Sequence, residues 1–166
     1  PANKKDDFLG AHFIPAVIGP KGRPFVVDHH HLARALHEEG MEKVLISVLA
    51  DLSQLTKEEF LTFLDNRAWM HPFDASGRRR TYEDLPKSVD KLVDDPYRSL
   101  AGAVRRAGGY AKDTTPFAEF LWADFFRRRI DAGQLADSFD KAAKKATTLS
   151  QDKSASHLPG WSGPDD

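Results

Sequence analysis

The sequence predicts an α+β protein, with a small α/β core followed by an all-helical C-terminal half. Between residues 13 and 53, short apolar runs alternate with turn residues and one helical pattern. After residue 55, apolar residues recur at helical spacing between capping residues. We therefore expect a core over residues 1–55 and a helical extension over residues 56–166, packed on the core as one structural unit.

The core elements follow from apolar patterning and turn chemistry. Two apolar runs, "FIPAVI" and "FVVD", flank the turn sequence "GPKGR" (residues 19–23) and predict a β-hairpin. The stretch from His30 to Glu39 places Leu32, Ala33 and Leu36 at helical spacing, and Gly40 ends it. "KVLISVLADLS" (residues 43–53) then predicts a strand. The predicted order is strand, turn, strand, helix, strand.

Capping residues divide the second half into helices. Thr56, with Glu59 three residues later, forms a capping-box pattern. Further helices are expected from Ser88, from Pro96 to the Gly108–Gly109 pair with Asp94 or Asp95 as cap, from Pro116, and over residues 133–149. The aromatic residues of the helix after Pro116 are expected in the core and not in a base-stacking platform.

Composition excludes several classes of function. The chain has no cysteine, so disulfides, thiolate metal sites and cysteine nucleophiles are ruled out. The net charge of −1 does not indicate a nucleic-acid binder by itself. No apolar run is long enough to span a membrane and no signal peptide is visible, so we expect no membrane partner and a cytoplasmic location. The chain starts at Pro1 without methionine, which leaves export open.

The segment "DHHH" (Asp28 to His31) is the main candidate site. It lies where a strand gives way to a helix, and free backbone amides and the positive end of a helix dipole favour an anion there. Imidazoles can bind phosphate or act as general acid or base. Two alternatives remain open: Asp28 as an ordinary N-cap with polar histidines behind it, or a metal site on Asp28, His29 and His31 with His71 or Asp74.

Arginines supply further phosphate-binding candidates. Arg78, Arg79 and Arg80 follow a glycine in one loop, where they could clamp phosphate or form a solvated charge run. Arg98 is a candidate for the site, with an ion pair to Glu119 or Asp124 as the structural alternative. Arg127, Arg128 and Arg129 suit the C-terminus of their helix or a nucleic-acid backbone.

"VVDHHHLARALHEEG" resembles the box of the ParB/sulfiredoxin superfamily, and the chain resembles the ParB-like nuclease family more closely still. The segments that carry this resemblance are Asp28 to Leu36, Asp51 to Ser53, Asp94 to Ala101, Gly108 to Ile130 and Leu158 to Trp161. It implies a ParB/sulfiredoxin-like core. Two positions depart from the superfamily box: His29 stands at the turn glycine, and Leu32 stands at the phosphate-gripping arginine when His30 and His31 take the two histidine places.

The family resemblance implies a nuclease, a hydrolase that binds DNA. In that hypothesis His30, His31 and Asp28 are catalytic, and His29 with the arginines binds phosphate. A divalent ion, Mg²⁺ or Mn²⁺, is optional, and sulfiredoxin chemistry is excluded because its cysteine is absent. Two alternatives stay open: a nucleotide-binding phosphotransferase or switch, and a non-catalytic DNA-binding or interaction module. The oligomeric state is left open by the sequence.

Overall fold

The computed structural model describes residues 13–164 and confirms the α+β class. Three strands and six α-helices occur in this part of the chain. They are β1 (Ile14–Gly19), β2 (Arg23–Val26), α1 (His30–Glu38), β3 (Ile46–Asp51), α2 (Lys57–Asn66), α3 (Pro96–Arg106), α4 (Ala118–Arg127), α5 (Ala132–Asp137) and α6 (Phe139–Gln151). No helix in residues 13–164 is both long and apolar enough to cross a bilayer.

The chain divides into two compact units. One contains residues up to Pro72 together with Arg79–Val93, and the other contains Phe73–Arg78 together with the residues from Asp94 onward. Helix α2 therefore belongs to the same unit as the three strands, beyond the expected core limit at residue 55. The packing of the extension as one structural unit with the core stays a prediction.

The first unit is built on a three-stranded sheet with the order β2-β1-β3. The predicted hairpin is confirmed, because β1 pairs antiparallel with β2. Strand β3 pairs parallel with β1, and Leu49 is the extra residue where the register shifts between Val48 and Ala50. The helix between β2 and β3 supplies the long crossover that a parallel partner requires.

Helices α1 and α2 cover the two faces of this sheet. Ile14 of β1 packs with Ala33 and Leu36 of α1. Val17, three residues along β1, packs with Phe60 and Leu64 of α2. Because side chains alternate between the faces of a strand, these two clusters lie on opposite sides of the sheet. The predicted capping box at α2 is confirmed, since Thr56 and Glu59 satisfy each other's backbone amides.

The second unit is a helical assembly around the fully buried Trp122. The Trp122 indole stacks on the Tyr110 ring, with centroids 4.2 Å apart, and donates to the Pro159 carbonyl at 2.9 Å. Trp122, Phe125 and Phe126 are buried, as expected of core aromatics, whereas Phe117 and Phe120 are only half-buried. Asp95 caps α3 by accepting the amide of Tyr97, as one of the two predicted cap residues.

Three helix predictions were wrong in their limits. The expected helix from Ser88 is a single 3-10 turn, Val89–Lys91. The helix expected to start at Pro116 begins at Ala118, because Phe117 adopts a left-handed backbone conformation with φ 59°. The expected helix over residues 133–149 is two helices separated at Ser138, whose extended backbone and hydroxyl provide the N-cap of α6.

Candidate anion site at the first strand–helix turn

His29 makes the turn from β2 into α1. Its backbone has φ 57° and ψ 33°, in the left-handed region that favours glycine. Histidine is among the residues that enter this region more often than most. The position that the superfamily resemblance assigned to a glycine is therefore one where the chain needs the conformation that glycine adopts most easily.

Asp28, which follows β2, makes a hydrogen bond within the turn. Its Oδ1 accepts the backbone amide of His29 at 2.7 Å, and the His29 ring nitrogen Nδ1 lies 3.3 Å from the Phe13 carbonyl oxygen. Asp28 is not the N-cap of α1, because His29 occupies that position. The alternative in which Asp28 caps the helix is therefore wrong.

Helix α1 begins without a side-chain cap. The His29 side chain accepts no amide from the first turn. The first intrahelical bond runs from the Ala33 amide to the His29 carbonyl, at 2.9 Å. In an α-helix the amides before this bond have no intrahelical acceptor and point out of the N-terminus. The amides of His30, His31 and Leu32 are in this position, where an anion would be favoured.

The pKa of His30 is lowered from its ordinary value of 6.5. Desolvation of the imidazole is the largest cause. The nearby Asp28 carboxylate and a hydrogen bond to the Val26 backbone oppose it, while His31 lowers the pKa further. The residue as a whole remains exposed, so solvent and substrate can still reach it. A lowered pKa keeps the imidazole neutral at pH 7, the state in which it can accept a proton.

The metal alternative gains no support from side-chain placement. Among residues 13–164, no group of three or more His, Asp or Glu side chains is arranged to hold a metal ion. Asp28, His29, His31 and His71 thus do not form such a group. A carboxylate such as Asp28 remains chemically suited to a hard divalent cation.

Asp74 orders the loop that carries Arg78, Arg79 and Arg80, and the boundary between the two units falls within this loop. Asp74 Oδ1 accepts the amides of Ser76 and Arg78 at 2.9 and 3.0 Å, and the Gly77 amide donates to the Asp74 carbonyl at 2.8 Å. Arg78 belongs to the second unit, whereas Arg79 and Arg80 belong to the first. The three arginines are therefore not one local cluster in either unit.

Arg79 has a structural partner in its own unit. Its guanidinium is paired with the Asp65 carboxylate, which also accepts the Tyr82 hydroxyl at 2.9 Å. That hydrogen bond is the main reason that the pKa of Tyr82 is raised. The Arg80 backbone amide donates to the Pro72 carbonyl at 2.8 Å. The side chain of Arg78 is exposed.

Arg98 forms the ion pair that was the structural alternative for it. Its Nη2 lies 2.8 Å from Glu119 Oε2, and Arg105 Nε lies 2.9 Å from the other carboxylate oxygen. The Arg98 guanidinium also lies over the Phe120 ring, 5.6 Å from its centroid. Glu119 thus joins two arginines of α3 to α4.

Sequence reasoning missed the roles of Arg127 and Arg34. Arg127 contacts the carboxylates of Asp95 and Asp124 and lies over the Tyr97 ring, so it is an internal ion-pair residue and not part of a basic surface. Arg34 donates to the carbonyls of Asp90 and Leu92 at 3.0 and 2.8 Å. Asp124 lies three residues before Arg127, and this spacing on a helix could have predicted an ion pair for Arg127. No pattern in the sequence near Arg34 predicts its contacts with Asp90 and Leu92, which are more than 50 residues away.

The sequence over residues 1–128 matches the family described as "Putative ParB-like nuclease". A crystal structure of protein Atu1540 from Agrobacterium tumefaciens superposes with a TM-score of 0.90 at 54% sequence identity, covering 93% of this chain and 82% of that one. No curated protein gives a significant match. Because the family match spans most of the chain and includes the turn from Asp28 to His31, the protein belongs to the ParB-like nuclease family.

Proposed function

We propose that this protein is a phosphodiesterase acting on nucleic acid, with the scissile phosphate held at the N-terminus of α1. The observation that carries the proposal is the uncapped first turn with three adjacent imidazoles. The amides of His30, His31 and Leu32 would bind non-bridging phosphate oxygens. The helix dipole adds to this attraction for a negative charge.

His30 is the proposed general base. Its lowered pKa leaves it neutral, so it can take a proton from the attacking water. The water oxygen bonds to phosphorus as the phosphorus–oxygen bond to the leaving group breaks, and His31, the proposed general acid, gives a proton to the leaving oxygen. Asp28 is catalytic in the proposal because its carboxylate stabilises the protonated form of His30. This charge raises the pKa of the imidazole against the larger effect of desolvation, which lowers it.

Phosphate charge is neutralised in the proposal by His29 and by arginine. Arg79 and Arg80 belong to the same unit as the turn, while Arg78 and Arg98 do not. Arg98 shares Glu119 with Arg105, which reduces its availability for phosphate. A divalent ion, Mg²⁺ or Mn²⁺, held at Asp28 would supply charge stabilisation of the same kind.

Nicking of supercoiled DNA tests the proposal. The assay compares the wild type, the His30→Ala/His31→Ala double variant and a His37→Ala control, with Mg²⁺, with Mn²⁺ and with chelator. His37 is exposed in the last turn of the same helix, so its removal controls for loss of an imidazole from α1. We expect nicking by the wild type and the control, and at least about a hundredfold loss in the folded double variant.

Nicking that is equal in all three proteins would contradict the proposal and indicate a contaminating nuclease. If no protein nicks DNA, nucleotide binding is the next measurement. The same uncapped turn would hold the phosphates of a nucleotide. Binding of a nucleoside triphosphate that the double variant loses and the His37→Ala control keeps would favour the nucleotide-dependent alternative.

A further inference from the structure

Helix α3 carries three arginines on one side, Arg98, Arg105 and Arg106, at a spacing that places them together on a helix. Arg98 and Arg105 share the carboxylate of Glu119. Arg106 is exposed and has no ion-pair partner among residues 13–164. Three guanidinium charges against one carboxylate leave two positive charges in excess on this face of α3.

The guanidinium groups of Arg98 and Arg106 converge over Gly102. These arginines lie four residues before and four residues after the glycine, so each is about one helical turn away from it. Arg98 Nη1 and Arg106 Nη1 lie 3.2 and 3.4 Å from the point where a Cβ atom would stand at Gly102. Because glycine has no side chain, both groups can lie against the helix surface at one place.

The guanidinium of Arg98 is fixed in this position by other contacts. Its Nη2 lies 2.8 Å from Glu119 Oε2, and the group lies over the Phe120 ring, 5.6 Å from the centroid. These contacts leave Nη1, which has no hydrogen-bond acceptor within residues 13–164. An arginine that is already held in place loses less side-chain freedom when it binds a ligand.

Two guanidinium groups directed at one point repel each other, and an anion between them is attracted to both. Their charges also act on the buried Tyr110. Burial is the largest cause that raises the pKa of its phenol, and Glu119 adds to this effect, whereas all three arginines of α3 lower the pKa. The four charged residues are therefore neighbours around one phenol, and positive charge predominates among them.

We propose that Arg98 and Arg106, on either side of Gly102, form a binding site for a phosphate group. One phosphate oxygen accepts from Arg98 Nη1 and another from Arg106 Nη1, while Arg105 contributes charge. Guanidinium groups bind phosphate oxygens well because they offer several donors in a fixed plane. This site lies in the second unit and the turn at α1 lies in the first, so the proposal does not depend on hydrolysis at that turn.

A phosphate group of this kind occurs in free phosphate and in the backbone of a nucleic acid. NMR titration of the full chain with inorganic phosphate, at constant ionic strength, tests the site directly. We expect saturable shifts of the Gly102 amide and of the Arg106 Nε–H group, with a dissociation constant on the order of 1 mM.

Arg106→Gln removes one of the two guanidinium groups at an exposed position, where the fold is expected to tolerate the change. We expect it to raise the dissociation constant measured at Gly102 about tenfold, for the loss of one charge-assisted hydrogen bond. Arg128→Gln is the matched control, because Arg128 is an exposed arginine of the same unit that lies on α4's C-terminus. The control should bind phosphate as the wild type does.

A second titration with a single-stranded DNA oligonucleotide separates the two sources of phosphate. Tighter binding of the oligonucleotide at Gly102 supports a nucleic-acid backbone as the ligand, and binding of inorganic phosphate that is as tight or tighter supports a small phosphate species. The proposal is overturned if neither probe gives a saturable shift at Gly102, or if Arg106→Gln leaves that shift unchanged. Shifts at the amides of residues 30–32 without one at Gly102 would overturn this site and leave the proposed site at α1 intact.

Discussion

The backbone amide of His29 donates to the carboxylate of the preceding residue, Asp28, at 2.7 Å. Asp28 lies one residue before the N-cap position, which His29 occupies with a left-handed backbone and without a side-chain cap. The same local arrangement thus leaves the first amides of the helix without a side-chain acceptor. The turn places a free helix N-terminus beside imidazoles, which is the physical basis of the proposed phosphate site.

Substitutions at His29 should separate backbone geometry from chemistry. His29→Gly removes the steric cost of φ 57° but adds chain entropy to the unfolded state, so we expect the free energy of unfolding to change by less than about 1 kcal/mol. His29→Val should lower it by roughly 1–2 kcal/mol, because a β-branched residue fits this region poorly. Urea unfolding measures both. Equal stability of the two variants would contradict the left-handed turn.

The titration of His30 should reveal its desolvation. The folded-state pKa lies below the ordinary 6.5, so the unfolded chain binds the proton more readily than the folded one. Stability attributable to this group is therefore present above pH 6.5 and is lost as the pH falls through that value toward the folded pKa. NMR of the ring protons should give a midpoint below 6.5 for His30. A midpoint at or above 6.5 would contradict the desolvation of the His30 imidazole in the folded chain.

His30→Gln is the matched variant for the pH dependence of stability. Glutamine keeps a polar side chain at the start of α1 but does not titrate. The stability difference between wild type and variant should change in the acid range, with the wild type losing more stability as the pH falls below 6.5. Parallel stability curves would show that His30 has the same pKa in both states.

The elements that the sequence predicted well depend on neighbouring residues. The capping box of Thr56 and Glu59 joins residues three apart, and the hairpin needs only a turn between two apolar runs. The family resemblance added the expectation of a turn glycine where His29 stands, and the backbone angle agrees with it. Local chemistry was sufficient in these places because tertiary contacts did not oppose it.

The missed features depend on contacts between residues distant in sequence. Helical periodicity continues across Ser138, so residues 133–149 looked like one helix, but the chain turns at Ser138. The triplet Arg127–Arg129 looked like a basic surface, whereas Arg127 is 16% exposed and paired with Asp95, 32 residues earlier. Periodicity and charge runs carry no information about which distant group a side chain will meet.

Arg127 should contribute strongly to the stability of the second unit. Its Nη2 lies 2.6 Å from Asp95 Oδ2, and the side chains of both residues are at most 16% exposed. Arg127→Met leaves the Asp95 charge without this partner, so we expect a loss of roughly 3 kcal/mol in urea unfolding. Arg128→Met is the control, since Arg128 is exposed and its guanidinium donates to the Asp124 carbonyl at 3.0 Å; this substitution should cost less than about 0.5 kcal/mol. Similar losses would refute this role.

Tyr110 should make the second unit sensitive to alkaline pH. The phenol is 3% exposed, and its hydroxyl donates to the Ala101 carbonyl at 2.9 Å. Burial is the largest cause that raises the pKa of Tyr110 above the ordinary 10.0, with Glu119 adding to it and three arginines opposing it. A raised folded pKa means that this stability is fully present below pH 10 and is lost as the pH rises from there toward the folded value.

Tyr110→Phe tests this directly, because it keeps the ring that stacks on Trp122 and removes the titrating group. At neutral pH we expect a loss of about 1 kcal/mol for the missing hydrogen bond. Above pH 10 the wild type should lose its advantage by up to about 1.4 kcal/mol per pH unit relative to the variant. Tyr97 also has a raised pKa, so the variant keeps part of the alkaline sensitivity. A stability difference that stays constant above pH 10 would show that the Tyr110 phenol ionises equally well in the folded chain.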